Sequence, residues 1–175
     1  MRVIAGELRS RRLKGVPGLA TRPTPDRLRE TLFDILGPRT EGAAFADVYA
    51  GTGSVGIEAL SRGARHGYFL ERNRAALAVL RENLAALGLE ARATVVPGRV
   101  ALTLPQIQAD IVFLDPPYDY EGEYTKALQA LSQAAPKLVI VQHSVRFQIG
   151  TEHGPLREAR RTRQGDNVLS FFEPV

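Results

Sequence analysis

The hydrophobic and polar positions change their rhythm near residue 44. Before it, Leu28, Leu32, Ile35 and Leu36 recur at i, i+4, i+7 and i+8, while Arg27, Glu30 and Asp34 fall on the other side, which is the spacing of an amphipathic helix. Thr24-Pro25-Asp26 reads as its opening, with a hydroxyl cap, a proline in the first turn and an acid at the positive end of the dipole; Gly37-Pro38 stops it. Beyond residue 44, short apolar runs at 44–49, 67–70, 93–96, 111–114 and 138–141 alternate with helical stretches at 55–62, 74–87 and 124–134. Such alternation predicts an α/β domain, a parallel sheet covered on both faces by helices through right-handed crossovers. The last two runs, 156–162 and 168–172, are separated only by Arg163-Gln164-Gly165-Asp166-Asn167, so they predict an antiparallel hairpin at the sheet edge.

The first 23 residues fit neither rhythm. Gly6, Gly15, Pro17, Gly18 and Pro23 punctuate them, and Arg2-Val3-Ile4-Ala5 and Arg11-Arg12-Leu13-Lys14 are short enough to pair as a hairpin. Charge gives this segment a meaning. Residues 1–30 hold eight Lys/Arg against three Asp/Glu, a balance of +5 within a total of +4, so the remainder sums to −1. A near-neutral body led by a basic arm is the layout expected of a protein that lays the arm on phosphates. The expected division is therefore an arm at 1–23 for RNA contact and a single domain at 24–175. At 175 residues and 44% hydrophobic composition the chain suffices for one sizeable core. It contains no apolar run of membrane-spanning length and no long apolar leader, so a cytoplasmic protein is expected. Having no cysteine, it is without disulfides, thiolate metal sites or a cysteine nucleophile, and His66, His143 and His153 lack ligand-like spacing, so no metal is expected.

The candidate chemistry begins at Asp47-Val48-Tyr49-Ala50-Gly51-Thr52-Gly53-Ser54-Val55-Gly56, where a glycine-rich turn leaves the first strand. Read literally it is a dinucleotide fingerprint, with Glu71 placed 20 residues after Gly51 to grip a ribose. Backbone N–H groups at such a turn suit a pyrophosphate or a carboxylate equally. Asp47, however, is an acid at the strand end that would repel a pyrophosphate and pair with an amino group, and the fourth strand ends in Asp115-Pro116-Pro117-Tyr118, which hydride transfer does not call for.

Asp47-x-x-Ala50-Gly51-Thr52-Gly53, the acid Glu71 and Asp115-Pro116-Pro117-Tyr118 together resemble the S-adenosylmethionine-dependent methyltransferases that modify exocyclic amines of bases. Arg2-Val3-Ile4-Ala5-Gly6, the block Arg22-Pro23-Thr24-Pro25-Asp26-Arg27-Leu28-Arg29-Glu30-Thr31-Leu32-Phe33 and Gly165-Asp166-Asn167 resemble, more narrowly, the RsmD-type family, which methylates N2 of one guanine in bacterial 16S ribosomal RNA. The resemblance implies a Rossmann-like class I fold whose seven-stranded sheet ends in an antiparallel hairpin. It implies S-adenosylmethionine as cofactor, held by Asp47, Ala50, Gly51, Gly53, Glu71 and Arg72, with Arg22 and Thr24 at the mouth of the site. Arg99 stands where the family often has a small polar or acidic residue near the adenine, and Gln142-His143-Ser144 where it often has an acid. Asp115 and Pro116 would accept the hydrogens of the amine and Tyr118 would stack on the extruded base. Arg9, Arg11, Arg12, Lys14 and Arg27 would lie on the RNA backbone. The partner implied is 16S ribosomal RNA, within the 30S subunit or an assembly intermediate, bound by a monomer. N6-adenine methylation of DNA or RNA, and a ribosome-assembly binder without turnover, stay open as alternatives.

Overall fold

The computed structural model describes residues 1–18, 24–117, 121–134 and 136–175. Helix α1 (Asp26–Leu36) precedes strand β1 (Ala44–Val48), followed by α2 (Ser54–Ser61), β2 (His66–Glu71), α3 (Arg74–Ala86), β3 (Ala93–Pro97), α4 (Val100–Thr103), β4 (Ile111–Leu114), α5 (Glu121–Ala134) and β5 (Leu138–Ser144). Three strands close the chain: β6 (Glu152–His153), β7 (Leu156–Gln164) and β8 (Asn167–Pro174). They form one sheet in the order β3-β2-β1-β4-β5-β8-β7-β6, parallel from β3 to β5 and antiparallel from β5 outward. The Rossmann-like class I fold expected from the sequence is thus present with eight strands in place of seven. The additional one, β6, has two residues, too few to show a period of two in sequence. The one-turn α4 was equally invisible, because four residues carry no helical periodicity.

Alternation along each parallel strand divides the core in two. Phe45, Phe113 and Ile140 point to the side covered by α1, α2 and α3, while Ala46, Val48, Val112, Leu114, Val139 and Val141 point to the side covered by α4 and α5. Every residue of β1 and β4 is buried, and so is every residue of α2, which explains why these segments read as near-continuous apolar runs.

The leading segment forms a hairpin seated on α1, α2 and α3. Arg2 and Arg12 form an antiparallel bridge, the Val3 N–H donates to the Arg11 carbonyl at 2.9 Å, and Val3 and Leu13 are buried. Gly6 (φ +84°) lets it approach α2 closely, since a Cβ there would stand 2.0 Å from the Ser61 carbonyl oxygen. Beneath the hairpin lie two charges with no solvent exposure, Arg29 on α1 and Glu58 on α2, whose Nε and Oε1 are 3.8 Å apart. Glu58 accepts the N–H groups of Ile4 at 2.7 Å and Ala5 at 3.1 Å. Arg29 Nη2 donates to the Arg2 carbonyl at 2.7 Å and to Asp26 Oδ1 at 2.9 Å. One ion pair therefore ties three elements together.

Removing one member of a buried pair strands the other's charge, at a cost of about 3–5 kcal/mol. Glu58→Ala is accordingly expected to lower unfolding stability by about that amount in urea titration. Arg29→Met/Glu58→Ala should lose clearly less than the sum of the two single losses. Strict additivity would mean that the two charges do not act as a unit.

Candidate active site

The site is built at the carboxyl ends of the parallel strands, where open α/β sheets leave a crevice. β1 carries Asp47 into it, only 2% exposed, level with Phe69 on β2 and Phe113 on β4. Burial pushes the Asp47 carboxyl well above its ordinary value of 3.8; the Gly56 N–H, donating to Oδ2 at 2.9 Å, opposes this, and the charges of Asp115 and Glu71 add to it.

Leaving β1, the chain passes through the left-handed region at Tyr49 (φ 64°), Gly51 (φ 57°) and Gly53 (φ 88°). Gly53 caps α2 from that conformation, which strains any residue with a Cβ, and a Cβ there would also stand 2.4 Å from Leu80 Cδ1, forcing that side chain to shift. Tyr49, without that freedom, is held by its hydroxyl, which donates to Glu123 Oε2 on α5 at 3.0 Å. Burial, and then the hydrogen bond to Glu123, raise the Tyr49 phenol far above its ordinary value, so it remains a neutral donor.

Glu71 fastens the turn from β2. Its Oε2 accepts the Gly51 N–H at 2.8 Å, and its Oε1 accepts the N–H groups of Arg72 at 2.9 Å and Asn73 at 3.0 Å. Asn83, buried on α3, adds a brace: its Nδ2 donates to the carbonyls of Thr52 and Lys14, each at 3.1 Å, and its Oδ1 accepts the Lys14 N–H at 2.8 Å. The basic hairpin is thereby joined to the glycine-rich turn by a single amide.

The third wall is the end of β4. Asp115 is half-buried, and the Thr24 hydroxyl donates to its Oδ2 at 3.3 Å. This corrects the capping role expected for Thr24: Pro25 is the N-cap of α1, no side chain caps that helix, and the threonine hydroxyl is spent on an acid 91 residues away. A cavity of about 1010 Å³ opens between these walls. Asp47, Ala50, Gly51, Glu71, Arg72 and Arg99 line it from β1, β2 and β3, and Thr24, Asp115 and Pro116 from the side of β4. Gly53 lies beneath the lining as the helix cap. Arg22 and Tyr118 fall outside the described residues.

Arg9, Arg11, Arg12, Lys14 and Arg27 are all exposed and do not line the cavity. Two of them are partly engaged, Lys14 with Glu82 at 2.9 Å and Arg11 with the Ala86 carbonyl at 3.1 Å, both on α3. Among the described residues Arg9 and Arg12 have no ion-pair partner.

Two residues of consequence were not singled out in the sequence, and a third, Gln142, was marked there without a role. Arg29 sat among the charges of a conspicuous block, Tyr49 reads as an ordinary strand residue, and Gln142 lines the cavity where sequence gave it no role. Only Gln142 carried a signal, as a polar residue ending the apolar run of β5.

Residues 1–173 match the family model described as Conserved hypothetical protein 95. The chain is 34% identical to a candidate rRNA methyltransferase of Bacillus subtilis, YlbH, over 99% of its own length and 98% of that protein's. It is 41% identical to Ribosomal RNA small subunit methyltransferase D of Escherichia coli over 67% of its own length and 60% of that protein's. Among solved structures, a candidate methyltransferase from Escherichia coli, YhhF, superimposes with a TM-score of 0.86 at 31% identity, covering 99% of this chain and 97% of the other. An RNA methyltransferase from Salinibacter ruber in complex with S-adenosyl-L-homocysteine, at 16% identity and a TM-score of 0.70 over 87% of this chain and 94% of the other, shares the fold. With a family model matched almost end to end and relatives that repeat the same architecture, the chain belongs to the RsmD-type methyltransferase family.

Proposed function

We propose that this protein is a cytoplasmic enzyme that uses S-adenosylmethionine to methylate the exocyclic N2 amine of one guanine in 16S ribosomal RNA, within the small subunit or an assembly intermediate. The observation that carries the reading is the set of three carboxylates, Asp47, Glu71 and Asp115, around one cavity over a glycine-rich turn. A pyrophosphate entering there would meet like charge. Burial, and then the like charges of Asp115 and Glu71, hold the Asp47 carboxyl up, and a ligand bearing an ammonium and a sulfonium would counter both, so the donor set fits S-adenosylmethionine. The relatives named for small-subunit rRNA support the substrate class.

In this reading Asp47 receives the cofactor's ammonium, with Ala50, Gly51 and Gly53 passing close beneath. Glu71 takes a ribose hydroxyl on the acceptor site of Oε2 left after its three backbone bonds, since two carboxylate oxygens offer about four lone-pair sites. Arg72 and Arg99 border the adenosine end, where Arg99 can donate or stack and cannot accept. When bound, S-adenosylmethionine supplies an electrophilic methyl carbon whose bond to sulfur breaks as the bond to nitrogen forms, leaving a neutral thioether. The chain's part is to make the amine a better nucleophile. Guanine N2 is delocalised into its ring, and acceptors aimed at its two hydrogens favour the tetrahedral nitrogen of the transition state. The Asp115 carboxylate, oriented by Thr24, and the Pro116 carbonyl, fixed by the proline ring, are those acceptors. Tyr118 is assigned from the sequence to stack on the base and Arg22 to hold a carboxylate or phosphate at the mouth. The proton lost from the product nitrogen goes to Asp115 or to water. The basic hairpin meets the RNA backbone.

Wild-type protein incubated with undermodified 30S particles and S-adenosylmethionine should yield N2-methylguanosine by nucleoside mass spectrometry; N6-methyladenosine, or no methylation at all, would sink the proposal. Asp115→Ala should lower kcat by about 100-fold or more with cofactor affinity nearly unchanged by calorimetry.

Asp47→Asn keeps an acceptor for the Gly56 N–H and removes the charge. Because the folded value of Asp47 is raised, the stability its protonated form contributes is full below about pH 4 and lost as pH climbs through that value. The variant should therefore melt higher than wild type at pH 7, with the gap closing below about pH 4, while its cofactor affinity falls about tenfold or more. Equal melting temperatures across that range would show that Asp47 is not the strained group.

Replacing both unpaired arginines of the hairpin, Arg9→Ala/Arg12→Ala, should raise KM for RNA, leave kcat alone and reduce the slope of log affinity against log salt by about two.

A further inference from the structure

The cavity holds a polar group that the reading above leaves unused. Gln142 on β5 is 3% exposed and lines the cavity alongside Asp115, yet its buried Oε1 has no hydrogen-bond partner among the described residues. A buried carbonyl left unpaired is a standing penalty, and such groups persist where a ligand completes them. The position is set by the sheet. Leu114 pairs with Val141, so Asp115 and Gln142 follow at one level on neighbouring strands, and alternation turns Gln142 to the same side of the sheet as Ile140 in the core beneath α1. Its backbone is clamped: the Tyr124 hydroxyl on α5 donates to the Gln142 carbonyl at 3.1 Å, and β8 pairs it with Leu169. The amide is thus a fixed feature of the cavity wall one strand from the acid that faces the amine.

We propose that Gln142 reads the Watson–Crick edge of the target base and selects guanine, a role that rests on the guanine-N2 reading. Along that edge guanine presents the N2 amine, then the N1–H donor, then the O6 acceptor. With the amine between Asp115 and Pro116, the next group in line is N1–H, which Oε1 accepts, and the amide nitrogen faces O6. An adenine placed with its own amine at Asp115 brings the N1 lone pair against Oε1 and is rejected. A carboxylate could also accept N1–H, but it would add a further negative charge to a cavity already lined by Asp47, Glu71, Asp115 and Glu123. Glutamine supplies the acceptor without the charge.

The test begins with wild-type enzyme and undermodified 30S particles, from which the methylated nucleotide is mapped; absence of methylguanosine defeats the underlying reading and is seen at this step, before any variant is made. Ligated 16S RNA is then prepared with guanine or 2,6-diaminopurine at that position. The latter keeps the N2 amine but carries a bare nitrogen at N1 and an amine at the 6-position. Wild type should prefer guanine in kcat/KM by about 10–100-fold, the discrimination expected of a bidentate base contact. Gln142→Leu should lose about that factor on guanine and almost none on diaminopurine, so that the preference collapses towards one. Gln142→Glu keeps the acceptor for N1–H but loses the donor to O6, and should retain only part of the preference. Calorimetric cofactor binding and melting temperature report whether each variant is folded, and Gln142→Met replaces the leucine variant if that one is not. Equal losses on both bases, or a leucine variant as selective as wild type, would overturn the assignment.

Discussion

A guanidinium and a carboxylate enclosed without solvent, Arg29 and Glu58, set the geometry on which the cavity depends. Burying two charges is costly, and their mutual attraction at 3.8 Å does not by itself offset it; the balance requires that the remaining donors and acceptors be used. Most of them are used: Ile4 and Ala5 give their N–H groups to Glu58, and the Arg2 carbonyl and Asp26 accept from Arg29, while Arg29 Nε faces Glu58 at 3.8 Å without a hydrogen bond among the described residues. Burial nonetheless lowers the Arg29 pKa, against the opposing pull of Glu58 and Asp26. An apolar pair of equal volume would fill the space and leave those backbone groups unpaired. The pair therefore fixes the relative placement of the hairpin, of α1 and of α2. Thr24 on Asp115, the turn feeding α2, and the approach of Gly15 and Val16 to the cavity follow from that placement.

The second constraint is electrostatic and runs against stability. Asp47, Glu71 and Asp115 are gathered around one space, and the most buried of them is held far from its ordinary ionisation. Proteins accept such a cost where a ligand of opposite charge removes it. On the function proposed above, the free protein is poised for a cation, which is how a fingerprint that reads as a dinucleotide loop need not hold one. Glycines allow a close approach; on that reading the acid four residues before Gly51 decides what approaches.

Much of this was legible in the sequence, for identifiable reasons. The central parallel strands β1, β4 and β5 announced themselves because both faces of each are buried, β2 and β3 by short apolar runs between helical stretches, and the edge hairpin because Gly165-Asp166-Asn167 interrupts two strand-like runs. Asp47, Glu71 and Asp115 were recognisable because each sits at a strand end beside a distinctive turn. What escaped were contacts between residues far apart in the chain. Thr24 looked like a cap because local sequence cannot reveal an acid on β4. Nothing local marked Arg29 as buried, because the partners that make its burial tolerable, Glu58 on another helix and the Arg2 carbonyl of the hairpin, are distant in the chain. Gln142 differed from its apolar run without explanation until β4 and β5 were seen in register.

That register is the last link between fold and chemistry. Val48 pairs with Leu70 and with Leu114, and Leu114 with Val141, so Glu71, Tyr49, Asp115 and Gln142 leave four neighbouring strands at one level. In a parallel arrangement strands end on the same side, so one row of residues becomes the rim of one cavity. Tyr49 departs from the row by its left-handed backbone, and its hydroxyl reaches Glu123, which lines the cavity with it. Beyond β5 the direction reverses: β8 begins at Asn167 beside Ser144, so its first residues bound the rim where another crossover would otherwise emerge. A one-residue slip of β4 against β1 would turn Asp115 to the α5 side and leave Thr24 without its partner. The chemistry is therefore specified by hydrophobic alternation two and three residues below it, in side chains that never meet the substrate.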